Sequence, residues 1–399
     1  MGRSTTQDRD SGKSSQTAKG GTTMSKLFPT YEIGSIAKPR WRVKGYAGRK
    51  LNQADLDDAE KWAKILGIDY SKVETVLNGD SPNRKQEIVD LSALYVLTMF
   101  EKAGLDYVYD GEQWRVEMYE HVIRNLGGFK FSGWIKSFDY RYFKKASVVE
   151  KVSYKQPYYL EEYEAVKKQT NLPLKVPITG PYTLTDWTYN EYYEKKHSNI
   201  KSFPRRRYEA RKEFIFDIVD EALRPEFKKL VDAGVKWIQI DEPAVTTKET
   251  PEEMELFVDA YNRLTESFNI EFSLHNCFSN YNLLAQYVPS LKKCSQLSLE
   301  FANRDVHEER SEHPGYDGLT AFLDNGYKGA YAPGFLDVHT DFIESPELVR
   351  DRVLYVADLV GKEKVWVTPD CGLRTRSWDV AYQKLLNLTK GKELAKELA

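Results

Sequence analysis

Residues 235–277 read VKWIQIDEPAVTTKETPEEMELFVDAYNRLTESFNIEFSLHNC, and this stretch decides the fold class. An apolar strand pattern ends in Asp241-Glu242-Pro243. An amphipathic helix pattern follows over 251–268, and a second strand ends in His275-Asn276-Cys277. Thr250-Pro251 marks the helix start, because proline's missing N–H is no loss in the first turn. The same alternation runs outward in both directions. Upstream, strand patterns end in TYEIGS at Ser35, LDYVYDGE at Glu112 and LKVPITGP at Pro181. Downstream, they end in QLSLEF at Phe301, GAYAPGFLDVH at His339 and KVWVTPDCG at Gly372. Further helical spacing covers 53–67, 85–104, 206–233, 281–288, 316–325, 345–361 and 378–398. Eight strands, each with a helix after it, predict an α/β fold of the (β/α)8 TIM-barrel kind.

Two segments stand outside that alternation. Residues 113–171 are too long for a simple strand-to-helix link. They are rich in Tyr and β-branched residues (FKFSGWIKSFDYRYF, then ASVVEKVSYK), which predicts a hairpin excursion after the second strand. Residues 1–24 form the other. Up to residue 23 they hold no Val, Ile, Leu, Phe, Tyr or Trp, so they cannot bury enough apolar area to offset their ordering entropy. This tail is expected to be disordered, with Met24 as an alternative start, and 25–399 to form one domain.

Composition narrows the function. Lys and Arg number 58 against 60 Asp and Glu, a formal charge of −2. That balance gives no general attraction to nucleic acid or to an anionic membrane. No apolar run approaches the ~20 residues of a membrane span. Three cysteines, 277, 294 and 371, are too few and too odd for a disulfide framework. They predict a reducing, cytoplasmic setting.

Barrel enzymes carry their chemistry at the C-terminal ends of the strands. Ser35, Glu112, Asp241, His275, Cys277, Glu300, His339 and Cys371 all fall there. His275 and Cys277 are i and i+2 on one strand, so they project to one side. One imidazole, two thiolates and the Glu300 carboxylate make a donor set suited to tetrahedral Zn2+. A bland alternative exists for each residue: a small buried thiol, a helix cap, a turn serine. Cys294, in LKKCSQ, has no partner at motif spacing and reads as structural. His121, His197, His307 and His313 lie outside the strand ends and read the same way.

With these residues assembled, the chain resembles the cobalamin-independent methionine synthase family in its C-terminal catalytic barrel. The carrying motifs are IGS (33–35), DGE (110–112), ITGPYTLTDW (178–187), IQIDEPA (238–244), LHNC (274–277), SLEFANRD (298–305), PGFLDVH (333–339) and PDCGLRTR (369–376). They span nearly the whole barrel in order. The resemblance implies a zinc site of His275, Cys277, Glu300 and Cys371. It implies homocysteine held by Ile33, Gly34, Ser35, Glu112 and Asp241, a donor packed on Trp187, and His339 assisting protonation of the leaving nitrogen. It implies methyl transfer to homocysteine sulfur. The family's N-terminal half has no counterpart, so a short core-only form is expected. Its donor is then a methylated pterin or a methyl-corrinoid, the latter possible as a protein-delivered group. Other readings are alkyl transfer to another thiol such as coenzyme M, and a non-enzymatic zinc-stabilised module that docks a corrinoid protein. Glu112 and Asp241 favour an amino-acid acceptor, since a sulfonate calls for Arg or Lys.

Overall fold

The computed structural model describes residues 1–2, 27–136, 142–277 and 280–399. Apart from its first two residues, the tail expected over 1–24 lies outside them. β1 (Leu126–Lys136) and β2 (Tyr142–Tyr154) pair antiparallel, with Leu126 opposite Tyr154, and short β4 (Tyr189–Asn190) joins β2 in parallel. This is the 113–171 excursion. It is flanked by helices Met118–Arg124 and Leu160–Lys167.

A second sheet carries the remaining strands. β3 (Val176–Thr179), β5 (Trp237–Asp241), β6 (Glu271–His275), β7 (Gln296–Ser298) and β8 (Ala330–Ala332) lie side by side in that order, all parallel. β3 and β5 are buried throughout, as expected of parallel strands covered by helices on one side and filled core on the other. The eight-stranded ladder expected from the sequence is therefore corrected to five continuous strands. The segments ending at Ser35, Glu112 and Gly372 are held by single parallel bridges instead: Tyr331 to Val365, Thr30 to Val367, Tyr31 to Tyr107, and Val108 to Leu174. The physical reason is local. The Asp106 carboxylate takes the Thr30 N–H at 2.9 Å, and Asp110 takes the N–H groups of Glu112 and Trp114 at 2.8 and 2.9 Å. Side chains thus satisfy backbone donors that a longer ladder would use.

Inside the sheet, Tyr31, Tyr107, Trp237 and Trp366 pack ring against ring, with centroids 5.0 to 5.9 Å apart. At such spacings the rings touch and plug the end where the strands begin. The helix expected over 206–233 is interrupted. Phe203–Ile218 passes through a π turn, Val219–Leu223, before Arg224–Asp232. Pro225 sits just after that turn, and its ring cannot lie over the carbonyl four residues back. Among the described residues no helix is long and apolar enough to cross a membrane.

A buried ion network ties the last helices to the sheet. Arg352 Nε donates to Asp305 at 2.9 Å and its Nη2 to the Val306 carbonyl at 2.8 Å. His313 Nδ1 lies 2.8 Å from the same Asp305 oxygen. Lys384 Nζ donates to Glu344 at 2.7 Å and to the Asp337 carbonyl at 2.8 Å. Burial pushes the Asp305 carboxyl up, but His313 and Arg352 outweigh it and hold the group below its ordinary 3.8. A depressed carboxyl stabilises the fold above its unfolded pKa and loses that contribution on acidification. Asp305→Asn removes the nearer of two carboxylates beside buried Arg352, leaving only Glu344 at 3.9 Å, so it is expected to lower stability by about 3 kcal/mol at pH 7. The gap from the parent, read by urea unfolding, is expected to narrow as pH falls below 3.8.

Candidate active site

His275 closes β6, paired between Asp241 of β5 and Ser298 of β7. Its Nδ1 lies 3.0 Å from Ser298 Oγ, and its Nε2 lies 3.5 Å from Cys371 Sγ. An Nδ1–H donated to the serine fixes the ring and leaves the Nε2 lone pair toward the thiols. The donor atoms of His275, Cys277 and Cys371 all lie within 4.8 Å of one another. Bonds of ~2.0 Å to nitrogen and ~2.3 Å to sulfur put tetrahedral zinc ligands roughly 3.5 Å apart, so this group fits such an ion. The Cys277 thiol donates toward Cys371, pushing Cys277 well above the usual thiol range and Cys371 well below it. A cation between the two sulfurs would take the place of that hydrogen bond.

Cys371 is placed by its neighbour. Asp370 accepts the N–H groups of Phe301, Ala302 and Asn303 at 3.0, 2.9 and 2.8 Å, and its own N–H donates to the Leu336 carbonyl at 3.0 Å. Three chain segments meet at this one residue. Gly334, at φ +74°, makes the approach possible, since a Cβ there would stand 2.0 Å from Asp370 Oδ1. Gly372 lies against Ser35, where a Cβ would meet its N, O and Oγ at 2.7 to 2.9 Å. The cysteine loop and the IGS turn therefore share one wall.

Glu300 follows β7 and is fully buried. It stands beside the three-donor group, with its Oε1 accepting from Asn303 Nδ2 and 3.4 Å from His339 Nε2. Burial opposes a charge on His339, but Glu300 outweighs it and raises the imidazole above its usual range. The His339 N–H donates to Asp337 Oδ1 at 2.8 Å, and the Asp337 N–H donates to Glu344 at 2.7 Å. The buried Lys384–Glu344 pair thus reaches the turn that carries His339.

Next to the three-donor group lie Ile33, Gly34, Ser35, Glu112 and Asp241, with Asp241 paired to His275 and Ser35 against Gly372. Glu112 has φ +58°, a left-handed position that costs a non-glycine residue energy. Asp110 pins its N–H, and Arg115 Nη1 approaches its Oε1 at 3.5 Å. The carboxylate faces Gly34, where a Cβ would stand 3.5 Å from Oε1. Asp241 Oδ1 accepts from Gln239 Nε2 at 2.7 Å. Burial pushes the Asp241 carboxyl up to about 7, against the opposing pull of His275 and Lys175.

Trp187 ends the helix Pro181–Asp186 and stacks on Phe143 of β2 at 5.2 Å. One indole face is covered by the excursion. That helix is fixed by Glu242, which accepts the Tyr182 and Thr183 N–H groups at 3.0 and 2.7 Å. Gly180 permits this, for a Cβ would come 2.2 Å from Glu242 Oε1. Sequence reasoning overlooked Ser298, Asp370, Asn303, Gln239 and Lys175. All but Lys175 carry a signal, through their places in PDCG, SLEFANRD and IQIDEPA. Cys294 is buried and its thiol bonds to the Gln296 carbonyl at 3.3 Å. Of the remaining histidines, His313 is buried on Asp305, His121 bonds to the Tyr158 carbonyl, and His197 pairs with Glu213. His307 stacks on Phe342 and lies 3.8 Å from Asp337.

The chain was compared with known proteins. Residues 75–394 match the family described as "Cobalamin-independent synthase, Catalytic domain". A methionine synthase of Pyrococcus horikoshii is 35% identical over 372 residues, covering 93% of this chain and 94% of the relative. One from Thermococcus kodakarensis is 36% identical over 375 residues, covering 94% and 95%. Among solved structures, a B12-independent methionine synthase from Shewanella superposes with TM-score 0.69 at 23% identity, covering 94% of this chain and 99% of that one. A methyltransferase from Methanosarcina mazei gives TM-score 0.58 at 13% identity, covering 94% and 95%. The last two speak to fold alone.

Asp370→Ala would leave three buried N–H groups without an acceptor. It is expected to cost about 3 kcal/mol or more. Melting temperature checks the stability. Iodoacetamide labelling checks the loop: Cys371 should alkylate faster than in the parent while Cys294 is unchanged.

Proposed function

Because the chain belongs to the cobalamin-independent methionine synthase family, matching its catalytic domain over most of its length, we propose a zinc-dependent enzyme that moves a methyl group to homocysteine sulfur, giving methionine. The observation that carries this reading is the convergence of His275, Cys277 and Cys371 at the ends of parallel segments. We assign Zn2+ to these three with Glu300 as fourth ligand. When bound, zinc would supply the Lewis acidity that strips the proton from an alkyl thiol while two thiolates and a carboxylate keep the added sulfur electron-rich. Glu300 is the ligand assigned to yield when homocysteine arrives, because its Oε1 already has Asn303 and His339 as neighbours.

The chain's own groups then orient the acceptor. Glu112 and Asp241 meet the substrate ammonium, and the N–H groups at Gly34 and Ser35, with the Ser35 hydroxyl, meet its carboxylate. Fixing both ends of the amino acid holds its thiol for in-line attack on the methyl carbon. With a methylated pterin as donor, His339 gives a proton to the leaving nitrogen and Trp187 supports the ring through its free side. With a methyl-corrinoid, the leaving group is a reduced cobalt centre and needs no proton. The bridged segments at 30–31, 107–108 and 365–367 are read as completing a closed eight-stranded barrel in one domain. Two thiols kept for metal suit a reducing, cytoplasmic setting.

His275→Ala and Cys371→Ala are expected to lose zinc, falling from near one equivalent to about a tenth, and to lose activity by at least about a hundredfold. Metal analysis of purified protein and methionine formation check this. Full zinc retention in both variants would refute the ligand assignment. The parent enzyme, given homocysteine and zinc, names its donor by turning over methyltetrahydrofolate, methyltetrahydromethanopterin or methylcobalamin.

A further inference from the structure

Lys175 immediately precedes β3 and is completely buried. A buried ammonium is costly unless its N–H groups are met. Here Nζ donates to the carbonyls of Glu32 and Ile33, both at 2.7 Å, and to Gln239 Oε1 at 3.1 Å. The Glu32 carboxylate lies 3.4 Å away, and the Tyr31 ring sits 5.2 Å from the nitrogen. Gln239 carries the contact onward. Its Nε2 donates to the Ile33 carbonyl at 2.8 Å and to Asp241 Oδ1 at 2.7 Å.

Both anchors of the acceptor pocket therefore hang on one side chain. The Ile33 carbonyl and the Gly34 N–H belong to the same planar trans peptide, so they point in opposite directions. Two donors drawing that carbonyl into the barrel aim the Gly34 N–H out of it, toward the mouth. Gln239 occupies Oδ1 of Asp241 and leaves Oδ2 to meet a cation. An oriented N–H and an oriented carboxylate oxygen are what an α-amino acid needs, one for each of its charges.

We propose that Lys175 is a positioning residue that gives the acceptor pocket its preference for a thiol bearing both an ammonium and a carboxylate, acting through Gln239 and the Ile33 peptide. The proposal rests on the acceptor reading given above. The test is calorimetric binding of three thiols to zinc-loaded protein: homocysteine, 4-mercaptobutyrate, which lacks the ammonium, and 3-mercaptopropylamine, which lacks the carboxylate. Lys175→Met keeps an unbranched apolar stem of nearly the same length and removes the ammonium. Homocysteine affinity is expected to fall about 10- to 100-fold, and each truncated thiol, which loses one anchor, only about 3- to 10-fold, so the parent's preference collapses. In turnover, KM for homocysteine rises far more than kcat falls. Gln239→Met, which keeps the lysine's two carbonyl bonds, covers the case of a Lys175 variant that does not fold. It is expected to weaken homocysteine and 3-mercaptopropylamine together and to spare 4-mercaptobutyrate. A folded Lys175→Met protein with the parent's ranking of the three thiols would overturn the proposal, as would an unchanged ranking in Gln239→Met. A parent that binds homocysteine no better than the truncated thiols would instead sink the acceptor reading.

Discussion

The Asp370 carboxylate, accepting backbone N–H groups of Phe301, Ala302 and Asn303, is the contact on which the site depends. Cys371 lies about a hundred residues from His275 and Cys277 in sequence, and loop entropy opposes bringing them together. Asp370 opposes that entropy at the neighbouring residue. It binds the loop to the segment after β7, which also carries Glu300. Through its own N–H it binds the segment after β8, which also carries His339. Its burial and the nearby Glu300 raise its carboxyl well above the usual range. The site is thus held by a group that is itself expensive to bury, which explains why the surrounding backbone donors are spent on it and not on a longer ladder.

The reach of the sequence can be judged from particular residues. His275 and Cys277 were legible from their i, i+2 spacing at an expected strand end, although β6 itself stops at His275 and Cys277 lies just beyond it. Cys371 was legible only through the motif around it. The five central strands were legible from apolar runs closed by polar residues. The peripheral segments read equally well as strands, yet they pair by single bridges: Asp106 takes the Thr30 N–H across the fold and Asp110 takes an N–H two residues on, and a pattern of hydrophobicity encodes neither. The π turn before Pro225 was invisible for a related reason. A helical pattern keeps its phase through one wide turn, so 206–233 reads as unbroken.

Lys175 and Gln239 were missed for a different reason. A lysine at a strand start reads as surface, because lysine is almost never fully buried unless paired. Its partners are two main-chain carbonyls and a glutamine, and although Ile33 and Gln239 lie in IGS and IQIDEPA, nothing in those residue types points to a buried lysine. The excursion shows the opposite case. Its composition announces β structure, but its consequence for the site, the stacking of Phe143 on Trp187, depends on where the hairpin folds back. Residues that act through backbone carbonyls or through ring packing leave little trace in residue type.

Asp241 and Glu242 put this difference into two adjacent residues. They are neighbours on the chain, both buried, and burial pushes both carboxyls up to about 7. Strand alternation sends their side chains to opposite sides. Glu242 turns outward and fills its oxygens with the Tyr182 and Thr183 N–H groups and the Thr183 hydroxyl, at 2.6 to 3.0 Å. Asp241 turns inward, where Gln239 engages one oxygen. The first is a structural cap that closes a helix N-terminus. The second retains acceptor capacity at the C-terminal end of β5, beside His275. Both are buried carboxyls pushed up by burial, so function is assigned by counting which lone pairs the fold has left open.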